Sequence, residues 1–267
     1  MTKKVKKEGQ FPEYILQNWE ANDCVNFAIA LSRITGWLIH VDWWTPTDED
    51  EKVENMKPLR VHVGNNSNQI YDIKGKQTIT SYTNTTLFQI LKKRYGKVGG
   101  IAIRYYNEEM LFDLNLRVKP SETKIEEAIQ FINKNTDFLS KIPLRNEPNI
   151  PAYIAGKFTF GYCNLFATAL CDLNGYKPVA IIAKEYHTQF DNCQLGYVHS
   201  IVLDEDKNAI DVWGKDSIEN IVKRFEIKKY ELSESEHFAV NERLRTNTPE
   251  KYKSIYEESV AIINEYF

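Results

Sequence analysis

The sequence predicts an α+β protein made of two tandem copies of one domain, each a cysteine-bearing helix packed on an antiparallel sheet. Three observations predict it. First, residues repeat at an offset of 139: Cys24, Phe27, Ala28, Ala30, Leu31 and Gly36 recur as Cys163, Phe166, Ala167, Ala169, Leu170 and Gly175. The same offset takes Pro12, Tyr14 and Ile15 to Pro151, Tyr153 and Ile154, and Asp72, Gly75 and Lys76 to Asp211, Gly214 and Lys215. Second, apolar residues behind each cysteine fall at helical spacing: Phe27, Ala28, Leu31, Ile34, and Leu165, Phe166, Ala169, Leu170, Leu173. Third, short strand-like runs separated by polar turns follow each helix. The 267 residues are 42% hydrophobic and 12% aromatic, enough for two cores. The copies are expected at 8–142 and 143–267.

Each element has a local reason. The turn-like stretches Glu20–Asp23 and Phe160–Tyr162 precede the cysteines, and Gly36 and Gly175 stop the helices. Strands are expected over Trp37–Trp44 and Lys177–Lys184, then the polar loops Thr45–Lys57 and Glu185–Gln194. A hairpin follows in each copy: Leu59–Val63 with Gln69–Ile73 around Gly64–Asn68, and Tyr197–Leu203 with Ala209–Trp213 around Asp204–Asn208. Helices Leu87–Tyr95 and Ser217–Phe225 come next. Copy one continues with strands at Ile101–Tyr106 and Met110–Val118 and one long helix over Ser121–Ile142. The proline-rich Leu144–Pro151 connects the copies. A last helix starts near Thr248, with Pro249 in its first turn, and runs toward Phe267.

Composition narrows the function. A net charge of −3 gives no reason to expect nucleic acid. The basic start at Lys3, Lys4, Lys6 and Lys7 reads as a solvated tail. No apolar run spans a bilayer and no secretory leader is seen, so the expectation is a cytoplasmic protein with no membrane partner, export by a signal-independent route staying open. Four cysteines outside a secretory context do not make a disulfide framework, and no close cysteine pair suggests zinc. Cys171 and Cys193 read as structural thiols, and His40, His187 and His237 as structural or exposed. The Trp37, Trp43 and Trp44 group reads as packing or loop cover rather than a sugar platform.

The repeated polar residues carry the chemistry. Between Cys and Asp of each copy stands one histidine after a valine, His62 or His199. The order is nucleophile, base, orienting acid. Each cysteine opens a helix, whose N–H groups and dipole favour a thiolate. Each histidine is a candidate general base, and Asp72 or Asp211, on the next strand of the hairpin, would fix its tautomer. The histidine offset is 137 rather than 139, and a shift of two keeps a strand residue on one face. Loops of different length are expected to bring both histidines to equivalent sites.

The run Gly161, Cys163, Phe166, Ala167, Leu170 resembles the helix signature of the transglutaminase-like and papain-like cysteine enzyme superfamily. Copy one departs from it, with Asn22 in place of Gly161. The resemblance covers about half of each copy. It implies a Cys-His-Asp amide hydrolase or acyltransferase, of peptidase, glutamine deamidase or transglutaminase type, acting on a protein or peptide without metal or organic cofactor. It also implies an oxyanion donor upstream of the cysteine. Gln17, Asn18 and Trp19 are candidates in copy one, while Gly156, Lys157 and Phe158 of copy two lack such a side chain. The backbone N–H of the cysteine could serve in both. Two other readings stand beside this one: a tandem binding or scaffold protein whose triad residues are structural in one or both copies, and metal binding by the same trio.

Overall fold

The computed structural model describes residues 11–45, 53–64, 69–96, 100–145, 150–187 and 194–267. The fold is α+β, with two five-stranded antiparallel sheets and helices around them. The chain divides into two units, the first running to Leu144 and the second from Arg145, two residues beyond the expected boundary.

In unit 1, α1 (Glu13–Gln17) and a π-helical turn (Asn18–Asn22) lead into α2 (Cys24–Thr35). Strands β1 (Leu38–Thr45), β2 (Lys57–Gly64), β3 (Gln69–Asp72) and β4 (Gly75–Thr78) follow. Then come α3 (Ile79–Tyr82), a second π-helical turn (Thr83–Leu87), α4 (Phe88–Tyr95) and β5 (Gly100–Tyr106). The sheet order is β4-β3-β2-β1-β5. Helices α5 (Glu108–Asp113), α6 (Glu122–Lys134) and α7 (Thr136–Leu139) close the unit. The apolar stripe of α2, with Phe27, Ala28 and Leu31 buried, packs between the sheet residues Val41, Val61 and Tyr71 and the α6 residues Ile125, Ala128 and Ile132.

Unit 2 repeats this plan. Helix α8 (Ala152–Phe160) leads into α9 (Cys163–Asn174). Strands β6 (Lys177–Tyr186), β7 (Gly196–Leu203), β8 (Ala209–Asp211) and β9 (Gly214–Asp216) follow, then α10 (Ile218–Arg224) and β10 (Ile227–Ser233). Helices α11 (Glu234–Asn247) and α12 (Pro249–Tyr266) end the chain. The order β10-β6-β7-β8-β9 is that of the first sheet read from the other edge. Gly36 and Gly175 stop the two cysteine helices with φ of 76° and 72°, a left-handed conformation that costs a side-chain-bearing residue energy. Thr78 and Ser217, also 139 apart, each accept a hydrogen bond from the N–H three residues on and cap α3 and α10.

Three expectations need correction. Met110–Val118 is not a strand: the Asn107 side chain caps α5 by accepting from the Met110 N–H at 2.8 Å, and the chain turns helical. Ser121–Ile142 is not one helix, because it breaks at Asn135 between α6 and α7. Strand β10 and helix α11 occupy a stretch between the helix ending at Phe225 and the one starting near Thr248 for which no element was expected. The tryptophans pack as expected: Trp43 is buried, Trp44 stacks on Tyr95 with ring centroids 4.3 Å apart, and Trp37 Nε1–H donates to the Pro143 carbonyl. Cys193 and Lys3, Lys4, Lys6 and Lys7 lie outside the described residues.

Candidate functional site

Strand register decides the site in each unit. In β1–β2, Asp42 pairs with Arg60 and His40 with His62, and a bulge follows Asp42. In β6–β7, Ile181 pairs with His199 and Val179 with Ile201, and a bulge follows Ile181. Every one of these positions is related by 139. The strands therefore keep one register throughout, and no loop absorbs the histidine offset. The equivalent of His199 is Arg60. His62 lies one pleat further along β2, on the same face but about 7 Å away. The expectation that both histidines occupy equivalent sites is overturned.

Unit 2 brings its three candidates together. Cys163 opens α9, and its sulfur lies 3.3 Å from the Tyr197 hydroxyl and beside the Ser200 N–H. His199 Nε2 lies 3.1 Å from Asp211 Oδ2. Asp211 Oδ1 accepts from the Trp213 N–H at 2.8 Å, and Oδ2 accepts from Arg224 Nη1 at 2.7 Å. Arg224 Nη2 reaches Asp216 at 2.9 Å. His199 Nδ1 makes no aligned hydrogen bond; it faces the Cys163 sulfur, and the two are close enough to shift each other's charge state. Cys163 is 5% exposed, Asp211 3% and His199 0%.

Burial alone would raise the Cys163 thiol, but the charge and contact of His199, with the Tyr197 and Ser200 donors, bring it below its ordinary value. Burial alone would lower His199, but the Cys163 thiolate and the Asp211 carboxylate push it up to about 9. Burial would likewise raise Asp211, and Arg224 and His199 hold it below the usual carboxylate range. The shifts of Cys163 and His199 both favour a thiolate beside an imidazolium, so the four groups form a buried row of alternating charge, Cys163, His199, Asp211 and Arg224. Such a row is tolerated in a low-dielectric interior because every charge has an opposite neighbour.

A second row of hydrogen bonds ends on the same sulfur. Asn241 Nδ2 donates to His237 Nε2 at 3.1 Å, which leaves the proton on Nδ1 to donate to Ser200 Oγ at 3.0 Å. Burial lowers His237 to about 4, so the ring is neutral and needs this division of roles. The Ser200 hydroxyl can then donate to the Tyr197 oxygen at 3.0 Å, and Tyr197 to the sulfur.

Unit 1 keeps the sulfur and changes its surroundings. Cys24 opens α2 and lies beside the Val61 N–H, the equivalent of Ser200. Burial raises its thiol, and the Arg60 charge only partly offsets that. His62 Nδ1 lies 3.0 Å from Asp42 Oδ2, which also accepts from the Tyr82 hydroxyl at 2.6 Å. The carboxylate that orients His62 is thus Asp42, on β1, and not Asp72. Asp72 sits at the turn equivalent to that of Asp211 and accepts through Oδ1 from the Lys74 N–H at 2.8 Å and from Gln77 at 3.0 Å. Burial raises it to about 6, the Lys74 N–H and charge opposing. His40 stacks on His62 with ring centroids 5.2 Å apart, and burial with the His62 charge lowers it to about 3.

No family model, curated protein or solved structure matches the chain.

Sequence reasoning missed Arg224, Tyr197, Asp42 and Arg60. Arg60 left a trace in the sequence, since the offset of 139 makes it, and not His62, the equivalent of His199 wherever the strands keep one register. Of the upstream oxyanion candidates, Trp19 is buried in the core and Gln17 bonds Glu13 at the surface. Among the described residues, no group of three or more His, Cys, Asp or Glu is placed to hold a metal ion, and no helix is long and apolar enough to cross a membrane.

Proposed function

We propose that the protein is a cysteine-dependent amide hydrolase or acyltransferase of transglutaminase-like or papain-like type, acting through unit 2 on a protein or peptide amide. The observation that carries this reading is the Cys163–His199–Asp211 row with Arg224 behind it. A thiolate already paired with an imidazolium needs no proton removed before attack. The Cys163 sulfur adds to the amide carbonyl carbon, forming the C–S bond as the π pair moves to oxygen. The N–H groups of the first turn of α9 and the Tyr197 hydroxyl are the nearest donors for that oxyanion. Collapse breaks the C–N bond, and His199 gives its Nδ1 proton to the leaving nitrogen. Water or an amine then attacks the thioester, returns a proton to His199 and releases the thiolate. Tyr197 covers the sulfur, so an entering carbonyl displaces its hydroxyl.

A non-catalytic role is favoured for unit 1. Arg60 faces Cys24, and a guanidinium does not exchange protons at neutral pH. The Cys24 thiol is raised, not lowered.

The test uses intact protein, iodoacetamide and peptide mapping across pH. Cys163 is expected to label below neutral pH in the wild type and to lose that reactivity in His199→Ala. Incubation with casein and a primary amine is expected to release ammonia, new peptide termini or amine-linked product, all lost in Cys163→Ala. A Cys163 that labels no faster at pH 6 than an ordinary thiol would overturn the reading.

A further inference from the structure

A cleft opens beside Cys24 at the start of α2. Its polar wall holds Arg60 and Arg117, and its apolar wall Val25, Pro58, Leu116 and Val118. The arginines are not spent on each other's neighbours. Arg60 is 11% exposed, and its buried Nε has no hydrogen-bond partner among the described residues. The same holds for Nη1 of Arg94. Arg94 lies close enough to Arg117, Arg60 and Cys24 to respond to them: burial first, then the two like charges, lower its guanidinium. The carboxylate nearest Arg60, Glu20 at 3.3 Å, is shared with Lys74 at 2.6 Å and so does not neutralise the group. At the start of α2, Asp23 Oδ1 accepts from the Asn26 amide and makes no side-chain cap, so the first N–H groups of the helix have no capping side chain.

Unit 2 carries different residues at the matching positions. Arg60 is replaced there by His199, and Pro58, which opens the wall, by Tyr197, which covers the sulfur. Guanidinium donors left over beside an apolar wall match a planar carboxylate on an apolar body.

We propose that the unit 1 cleft binds such a carboxylate, with the C-terminal residue of a peptide that ends in an apolar side chain as its ligand class. The carboxylate pairs with Arg60 and Arg117, and the side chain lies on Val25, Pro58 and Leu116. The inference stands on unit 1 alone and holds whatever Cys163 does.

The probes are N-acetyl-leucine and its uncharged amide, used on the full chain. Cys24 is half-buried in the cleft wall, so a bound ligand shields it. In alkaline buffer, which a raised thiol needs in order to react, ~10 mM acid should slow Cys24 alkylation roughly three-fold or more, as a millimolar affinity requires. The amide should not, and Cys163, read in the same digest, should be unaffected by either. Calorimetric titration of the same pair gives the result independently of thiol reactivity. Arg117→Gln, at an exposed position, should abolish both effects. Equal action of acid and amide, or no action of the acid by either method, would overturn the proposal. Inorganic phosphate acting as strongly as N-acetyl-leucine would overturn it too, by reducing the cleft to a site for bare oxyanions.

Discussion

Units 1 and 2 place a sulfur in the same position and differ in what faces it. Both sulfurs open a twelve-residue helix stopped by a left-handed glycine, and both lie beside the N–H of the same β-strand position, Val61 or Ser200. Opposite stands Arg60 in one unit and His199 in the other. Both groups are cations, yet the thiol is raised in unit 1 and lowered in unit 2. Charge alone therefore does not make a thiolate in a buried site. In unit 2 the cation is in contact with the sulfur and is held by Asp211, and two neutral donors assist. In unit 1 burial outweighs the Arg60 charge. The difference is one of partners rather than of sign.

Four experiments break or sharpen this comparison, from the largest expected effect to the smallest. His199→Ala removes the imidazolium and should slow Cys163 alkylation at pH 6 by about 100-fold, since the thiolate fraction falls ten-fold per unit of pKa. His62→Ala should leave Cys24 unchanged within two-fold. If both variants behave alike, the two cysteines do not differ in their dependence on histidine. Arg224→Gln strips the buried Asp211 of one of its two ion partners and leaves it His199. It should lower unit 2 stability in urea by about 2 kcal/mol, less than the cost of leaving a buried charge with no partner at all. Thr85, the equivalent position in unit 1, is exposed and bonds its own helix, so Thr85→Ala should cost about 0.5 kcal/mol or less.

The third experiment moves chemistry between units. Arg60→His puts an imidazole where unit 2 has one and should speed Cys24 alkylation at pH 7 about ten-fold. The gain should fall short of Cys163, because Asp72 has no Arg224 behind it. No acceleration would mean that the carboxylate, not the histidine, makes the difference. The fourth concerns Asp72 itself. Its folded pKa, about 6, lies above the ordinary 3.8. The protonated form is therefore the one the fold prefers, and its contribution is present below the ordinary value and lost as pH rises through 6. Asp72→Asn should raise the unit 1 melting temperature at pH 7 and leave it unchanged at pH 4. Asp211→Asn, in contrast, should lower unit 2 stability at pH 7.

Much of this architecture was legible in the chain. The two cysteine helices run between the residues expected, because a stripe of Phe, Ala and Leu at helical spacing and a terminal glycine leave little choice. The hairpins carrying His199 and Asp211 were equally plain. What escaped were features that depend on distant partners. Strand β10 alternates weakly and becomes a strand by pairing with β6. Helix α11 has a largely polar face all round, and it is held where His237 and Asn241 are buried. Asp42 comes from a strand that the repeat gave no reason to inspect, since its counterpart is Ile181. The step of two between the histidines was visible, but two readings fit it: a loop adjustment that restores the site, or a whole pleat that vacates it. Only the pairing of β1 with β2 distinguishes them.

One pair of positions carries a further consequence. The segment leading into each helix is tied to the turn after the aspartate by the same two residues: Glu20 with Lys74 at 2.6 Å in unit 1, Thr159 with Trp213 in unit 2. The first tie is an ion pair with a partly exposed lysine; the second is a neutral bond in the interior. Added electrolyte screens the first and leaves the second untouched. Ionic strength should therefore loosen the entrance to the cysteine helix in one half of the chain only, so that a uniform change in the medium reaches the two halves as different instructions.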